Sequence, residues 1–161
     1  MSDRCQESMD GETPANRLKR AREALGLGQH AVAKLIGIGV PWYFDLEAYE
    51  NELSATLSLA TLCHLAQVVR TDPLVLLIGE RANSVERTIQ FSDLVQGLTE
   101  RMKAAGLDVE GFGDRVGWDL TKILRDPQEL WEFKTEWFVD VARAVGVEWT
   151  SAFPRTGRPA T

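Results

Sequence analysis

The sequence predicts an all-α fold made of two similar helical units packed together, on three observations. Apolar residues recur at three-and-four spacing through both halves, the mark of amphipathic helices with one buried face. The periodic stretches are bounded by helix caps and breakers, among them Gly26, Gly37, Pro41 and Asp72-Pro73. The chain also matches itself at an offset of 80: Leu18, Ala24, Gly26, Leu27, Val32, Ala33, Ile36, Gly37 and Ile38 fall on Leu98, Ala104, Gly106, Leu107, Phe112, Gly113, Val116, Gly117 and Trp118. An offset of 76 carries Leu62, Leu65, Ala66 and Val69 onto Phe138, Val141, Ala142 and Val145, so the second copy has a loop four residues shorter. No segment calls for a strand.

Helix one is expected over about residues 15–25, with Leu18, Ala21 and Leu25 on one face and Gly26 as its stop. Helix two follows over about residues 28–36. Helix three starts at Val40 or Pro41, because a first-turn proline gives up an N–H that has no intrahelical acceptor anyway, and it ends near Tyr49. Helix four covers about residues 58–69, and Asp72-Pro73 reads as the N-cap and first-turn proline of a short helix five. In the second unit, residues 92–105, 109–116, about 120–125 and a long aromatic segment over 127–145 repeat the scheme.

The stretch MSDRCQESMDGET is polar and FPRTGRPAT is rich in Pro, Gly and Arg, so both ends are expected to be mobile tails. The expected organisation is therefore a tail over 1–13, a helical domain over 14–80, a connector over 81–91, a second helical domain over 92–153 and a tail over 154–161. With 161 residues, 44% of them hydrophobic, the apolar material suffices for one domain or two small ones. Units of about 70 residues are marginal alone, which favours their packing together. Four of the five tryptophans, Trp118, Trp131, Trp137 and Trp149, lie in the second unit, where large aromatic area compensates for a short core.

Several positions also match a known pattern. RLKRAREALGLGQHAVAKLIGI, with Gln29 opening helix two and Gly37-Ile38 at the turn, Glu47 closing helix three, and SLATLCHLAQVVRTDPLVLL with its buried spacing together resemble the repressor-like helix-turn-helix family, the Cro and lambda-repressor type, over residues 17–79. AYENELSATL departs from that pattern as an enlarged loop. The resemblance implies tandem repressor-like helix-turn-helix bundles, the second degenerate, acting as a DNA-binding transcriptional regulator through both copies or a homodimer. It places Val40, Trp42 and Asp45 towards the major groove, along with Gly39, Pro41 and Phe44, and leaves Tyr43 and Leu46 in the core. Arg17, Arg20, Gln29 and His30 would approach phosphates, and Thr121, Lys122 and Arg125 occupy the corresponding reading positions of the second copy.

The chemistry of that face opposes the implication. Residues 35–69 contain no Lys or Arg and four carboxylates, Asp45, Glu47, Glu50 and Glu52. Bases are read mainly by Arg, Lys, Asn and Gln, and phosphate affinity comes from cations that release counterions. The net charge of −6 points the same way without excluding a local basic stripe. The cations of helix one serve solubility as readily as phosphate binding. The rival expectation is a helix-turn-helix fold reused as an acidic protein-binding module, an immunity protein or antitoxin for a basic toxin or nuclease. Trp42, Phe44, Tyr49, Glu50 and Glu52 would then carry the contact, since aromatics concentrate in hot spots and an acidic rim steers a basic partner.

No enzyme is expected. His30 and His64 form no metal-ligand spacing, no phosphate-cradling glycine loop is present, and Asp108, Glu110 and Asp114 sit where acids favour a helix N-terminus. No cofactor or metal is implied. Cys5 and Cys63 do not suggest a disulfide, and with no signal peptide or membrane-length apolar stretch the expected location is a reducing cytoplasm.

Overall fold

Thr13 opens the first helix because its side-chain oxygen accepts the Asn16 N–H at 3.2 Å, and Pro14 stands in the first turn. A computed structural model of the chain describes residues 12–79 and 90–154. In the first half these form α1 (Pro14–Ala24), α2 (Gln29–Ile36), α3 (Val40–Ala48), α4 (Glu52–Thr56), α5 (Leu59–Val68) and α6 (Pro73–Ile78). α1 packs on α3 and α6, while α2 packs on α3 and α5, so that Leu18, Val32, Ala33, Tyr43, Leu46, Leu62 and Leu65 are all buried. Ser58 caps α5 by accepting the Thr61 N–H at 3.2 Å, and Asp72 caps α6 by accepting that of Leu74 at 2.8 Å.

The second half comprises α7 (Phe91–Ala105), α8 (Val109–Val116), α9 (Thr121–Arg125), a 3-10 helix (Pro127–Glu132), α10 (Thr135–Val145) and α11 (Trp149–Ala152). Among the described residues the fold is all-α, apart from one isolated antiparallel bridge between Ser58 and Lys134. Gly97 sets the approach of α7 to α10, because a Cβ there would stand 2.4 Å from Val145 Cγ1.

The two halves share one core. α10 lies against α4 and α5, and the 3-10 helix lies against α5. Leu59 N–H donates to the Phe133 carbonyl at 2.8 Å, Thr135 N–H to that of Leu57 at 3.0 Å, and the Thr135 hydroxyl to the same Leu57 carbonyl at 3.1 Å. These bonds stitch the start of α5 to the start of α10 at full burial of Leu57, Leu59 and Thr135. Phe138, in the core of the second half, meets Phe91 at a tilt with ring centres 5.8 Å apart and Phe153 edge-on at 5.6 Å.

Several expectations need correction. AYENELSATL is not simply a loop: it contains α4, whose Leu53 is fully buried and which α10 packs against. The aromatic segment over 127–145 is two elements, since Asp126 caps a 3-10 turn through the Gln128 N–H at 3.0 Å and the chain then extends through Phe133 before α10 begins. The C-terminal tail does not begin at Phe153 or Pro154: Phe153 is in the core, and the buried Pro154 carbonyl accepts a weak bond from Cys63 Sγ at 3.6 Å. α11 was not anticipated. The tryptophans divide: Trp131 is core, Trp118 and Trp149 are half-buried, and Trp137 is exposed. Most of the expected tails and connector, together with Cys5, lie outside the described residues.

Candidate functional site

The α2–turn–α3 unit is built by two glycines and a proline. Gly37 ends α2 in the left-handed region at φ 75°, a conformation that a side chain would strain, and the Ile38 N–H closes back on the Ala33 carbonyl at 3.1 Å. Gly39 then serves as the N-cap of α3, with Pro41 in its first turn. Tyr43 and Leu46 point inward as expected, fully buried. At about 100° per residue this leaves Pro41, Phe44, Asp45 and Ala48 on the outer arc, with Phe44 at one edge and Trp42 at the other, about 160° apart.

Both edge aromatics are braced. Trp42, 38% exposed, donates its indole N–H to Thr56 Oγ1 on α4 at 3.0 Å, and Phe44, 40% exposed, meets the His30 ring edge-on at 5.7 Å. Tyr49, just past the helix, is 61% exposed, and Leu35 on α2 is 55% exposed. Sequence reasoning did not single out Leu35 or Thr56. Leu35 stands three residues from Val32 and has the spacing of a core residue, so no local signal marks its exposure.

Beneath this face lies a charged network. Glu47 accepts Arg22 Nε at 2.5 Å, Arg22 Nη2 at 2.9 Å and Gln29 Nε2 at 2.8 Å, while Arg22 Nη1 donates to the Leu27 carbonyl at 2.8 Å. Burial alone would raise the Glu47 carboxyl, but the hydrogen bonds from Arg22 and Gln29 and the Arg22 charge outweigh it and hold the group below its ordinary range. Burial, and then the Glu47 charge, push the Tyr43 phenol up.

Two assigned phosphate contacts are thereby corrected. Arg17 is 7% exposed: Nε donates to the Leu76 carbonyl at 2.9 Å, Nη2 to that of Leu77 at 2.7 Å, and Nη1 to that of Glu12. It satisfies the open carbonyls at the end of α6 and so ties α6 to α1. Gln29 is committed to Glu47. Arg20 is exposed but paired with Glu12 at 2.7 Å, and His30 is exposed against Phe44.

The second copy differs more than its sequence alignment suggests. Gly117 repeats the left-handed stop at φ 84°, yet four residues rather than three separate α8 from α9, and α9 has five residues where α3 has nine. Asp119 Oδ1 caps the turn by accepting the Thr121 N–H at 2.9 Å, and that bond lowers its pKa. Thr121, Lys122 and Arg125 are all exposed. Of these, Thr121 lines an open groove of about 590 Å³ whose walls include Glu110, Asp114 and Asp119. α9 packs mainly on α7 and the 3-10 helix, whereas α3 packs on α1, α2 and α4, so the two expected reading helices have no main neighbour in common.

The proposed partner group also separates. Trp42 and Phe44 flank α3, but Glu50 lines a cleft between the two halves, and Glu52 is half-buried at the start of α4. Among the described residues no helix is long and apolar enough to cross a membrane.

The chain matches no protein-family model, no curated protein sequence and no solved structure. Its function rests on this geometry.

Proposed function

We propose that the exposed face of α3 is a protein-docking surface on a helix-turn-helix scaffold, and that its partner is a basic protein. One observation carries the reading: Trp42 and Phe44 are held part-exposed by Thr56 and His30 on a face that offers no Lys or Arg. Braced aromatics lose little rotamer freedom on docking, which is the economy of a hot spot. Asp45 between them, with the acidic charge of residues 35–69, favours a cationic partner and repels phosphate. Two of the four side chains that a repressor-like fold would turn to phosphate, Arg17 and Gln29, are occupied inside the protein, and a third, Arg20, is paired with Glu12. An immunity protein or antitoxin facing a basic toxin or nuclease fits this chemistry.

Capture from cells that express the protein tests the reading. The wild-type chain should retain a basic protein that a Trp42→Ala, Phe44→Ala double variant releases and a Lys122→Ala, Arg125→Ala variant keeps. Retention by the aromatic variant would remove the α3 face from the account.

A second reading, an operator-binding regulator, is favoured by the exposure of Thr121, Lys122 and Arg125 together on α9 after a glycine-led turn. It requires that loss of Lys122 and Arg125 weaken binding to a DNA duplex and reduce its salt dependence.

A further inference from the structure

A cleft of about 270 Å³ opens where the start of α1, α4 and the end of α6 meet α10 and α11. Leu53, Ile78, Val139 and Trp149 give it an apolar lining, and Ile78 remains 39% exposed along it. Around that lining stand three carboxylates, Glu50, Glu136 and Asp140, against a single guanidinium, Arg143, which lies 3.9 Å from Asp140. The concavity therefore pairs a low-polarity floor with a net negative rim.

We propose that this cleft binds a small organic cation with a flat apolar body, such as an aryl amine or aryl amidine. The volume exceeds the roughly 150 Å³ that accepts benzene and falls just short of the roughly 300 Å³ at which drug-sized sites begin, so one ring or a fused pair fits. The half-buried Trp149 presents an indole to a cation, an attraction that carboxylates nearby reinforce. An anion of the same shape meets repulsion from Glu50 and Glu136. Because α4 and α6 come from one half and α10 and α11 from the other, the ligand contacts both and stabilises their junction by mass action. The site is independent of what docks on α3.

Calorimetric titration and thermal unfolding of the full chain with benzamidine, with phenylacetate and benzamide as anionic and neutral controls, test the proposal. Benzamidine should bind, raise the melting temperature and perturb tryptophan fluorescence, and both controls should be markedly weaker. Combining Glu50→Gln with Asp140→Asn, two surface changes, should weaken benzamidine by about five- to tenfold with the circular dichroism unchanged. Trp149→Phe, which keeps a ring beside Phe153, should remove the fluorescence response. No binding at about 10 mM benzamidine, a concentration that would reveal even a dissociation constant of about 1 mM, would overturn the proposal. So would controls that bind equally well, or charge variants that bind unchanged.

Discussion

Replacing Glu47 with Leu should destabilise the protein more than any surface change on the α3 unit, because it strands a guanidinium that cannot shed its charge. The Glu47 side chain is 4% exposed and that of Arg22 10%, so water reaches neither freely. Removing one member of a buried pair costs about 3–5 kcal/mol. Arg22 keeps its bond to the Leu27 carbonyl, and Glu23 stands 3.6 Å away, which places the expected loss near the lower end, about 3 kcal/mol. Gln29 also loses its acceptor. In urea unfolding followed by circular dichroism, that loss lowers the midpoint by on the order of 2 M. Replacing both partners, Glu47→Leu with Arg22→Met, should recover most of it, since two apolar side chains leave no orphaned charge. The pair also has a pH signature. Glu47 is held below its ordinary value of 4.5, so its contribution is complete above that value and is lost as pH falls through the lower folded value. The double variant should lack this component of acid unfolding. A Glu47→Leu loss below about 1 kcal/mol, the range of exposed pairs, would refute the argument.

Other sites give independent checks. Arg17→Met keeps the apolar stem but leaves the Leu76 and Leu77 carbonyls without their donor, and should cost about 2–3 kcal/mol in the same assay. Gly97→Ala forces a Cβ against Val145 Cγ1 and should cost about 1–3 kcal/mol; adding Val145→Ala should restore part of that loss, which a double-mutant cycle would read as favourable coupling. Trp42→Ala with Phe44→Ala should change stability by less than the core variants while abolishing partner capture, because both side chains are more than a third exposed.

Local chemistry was legible in the sequence and long-range chemistry was not. The cap at Asp72, the glycine stops and the buried Leu59, Leu62, Leu65 and Ala66 depend on neighbours within four residues, and the structure places them as the spacing predicts. α4 escaped notice because it is five residues long, buries one of them and has no side-chain cap. Arg17 read as an exposed cation because its acceptors on α6 lie about sixty positions along the chain. Arg22 did carry a signal: Ala15, Leu18 and Arg22 follow a helical stripe, so a charge at that position announces a buried partner. The candidate site was half legible. Trp42 and Phe44 lie on the predicted helix, but their braces come from α4 and α2, and Glu50 turns to a cleft whose other wall is more than eighty residues away.

The most direct test of the docking assignment is fluorescence anisotropy with labelled duplexes from the protein's own promoter region and of scrambled sequence, from low to physiological salt. An acidic α3 face with no Lys or Arg predicts no saturable binding even at low salt, where attraction to phosphate is strongest. Tight, sequence-dependent binding with a steep salt slope, lost on Lys122→Ala and Arg125→Ala, would contradict it and make α9 the reading helix.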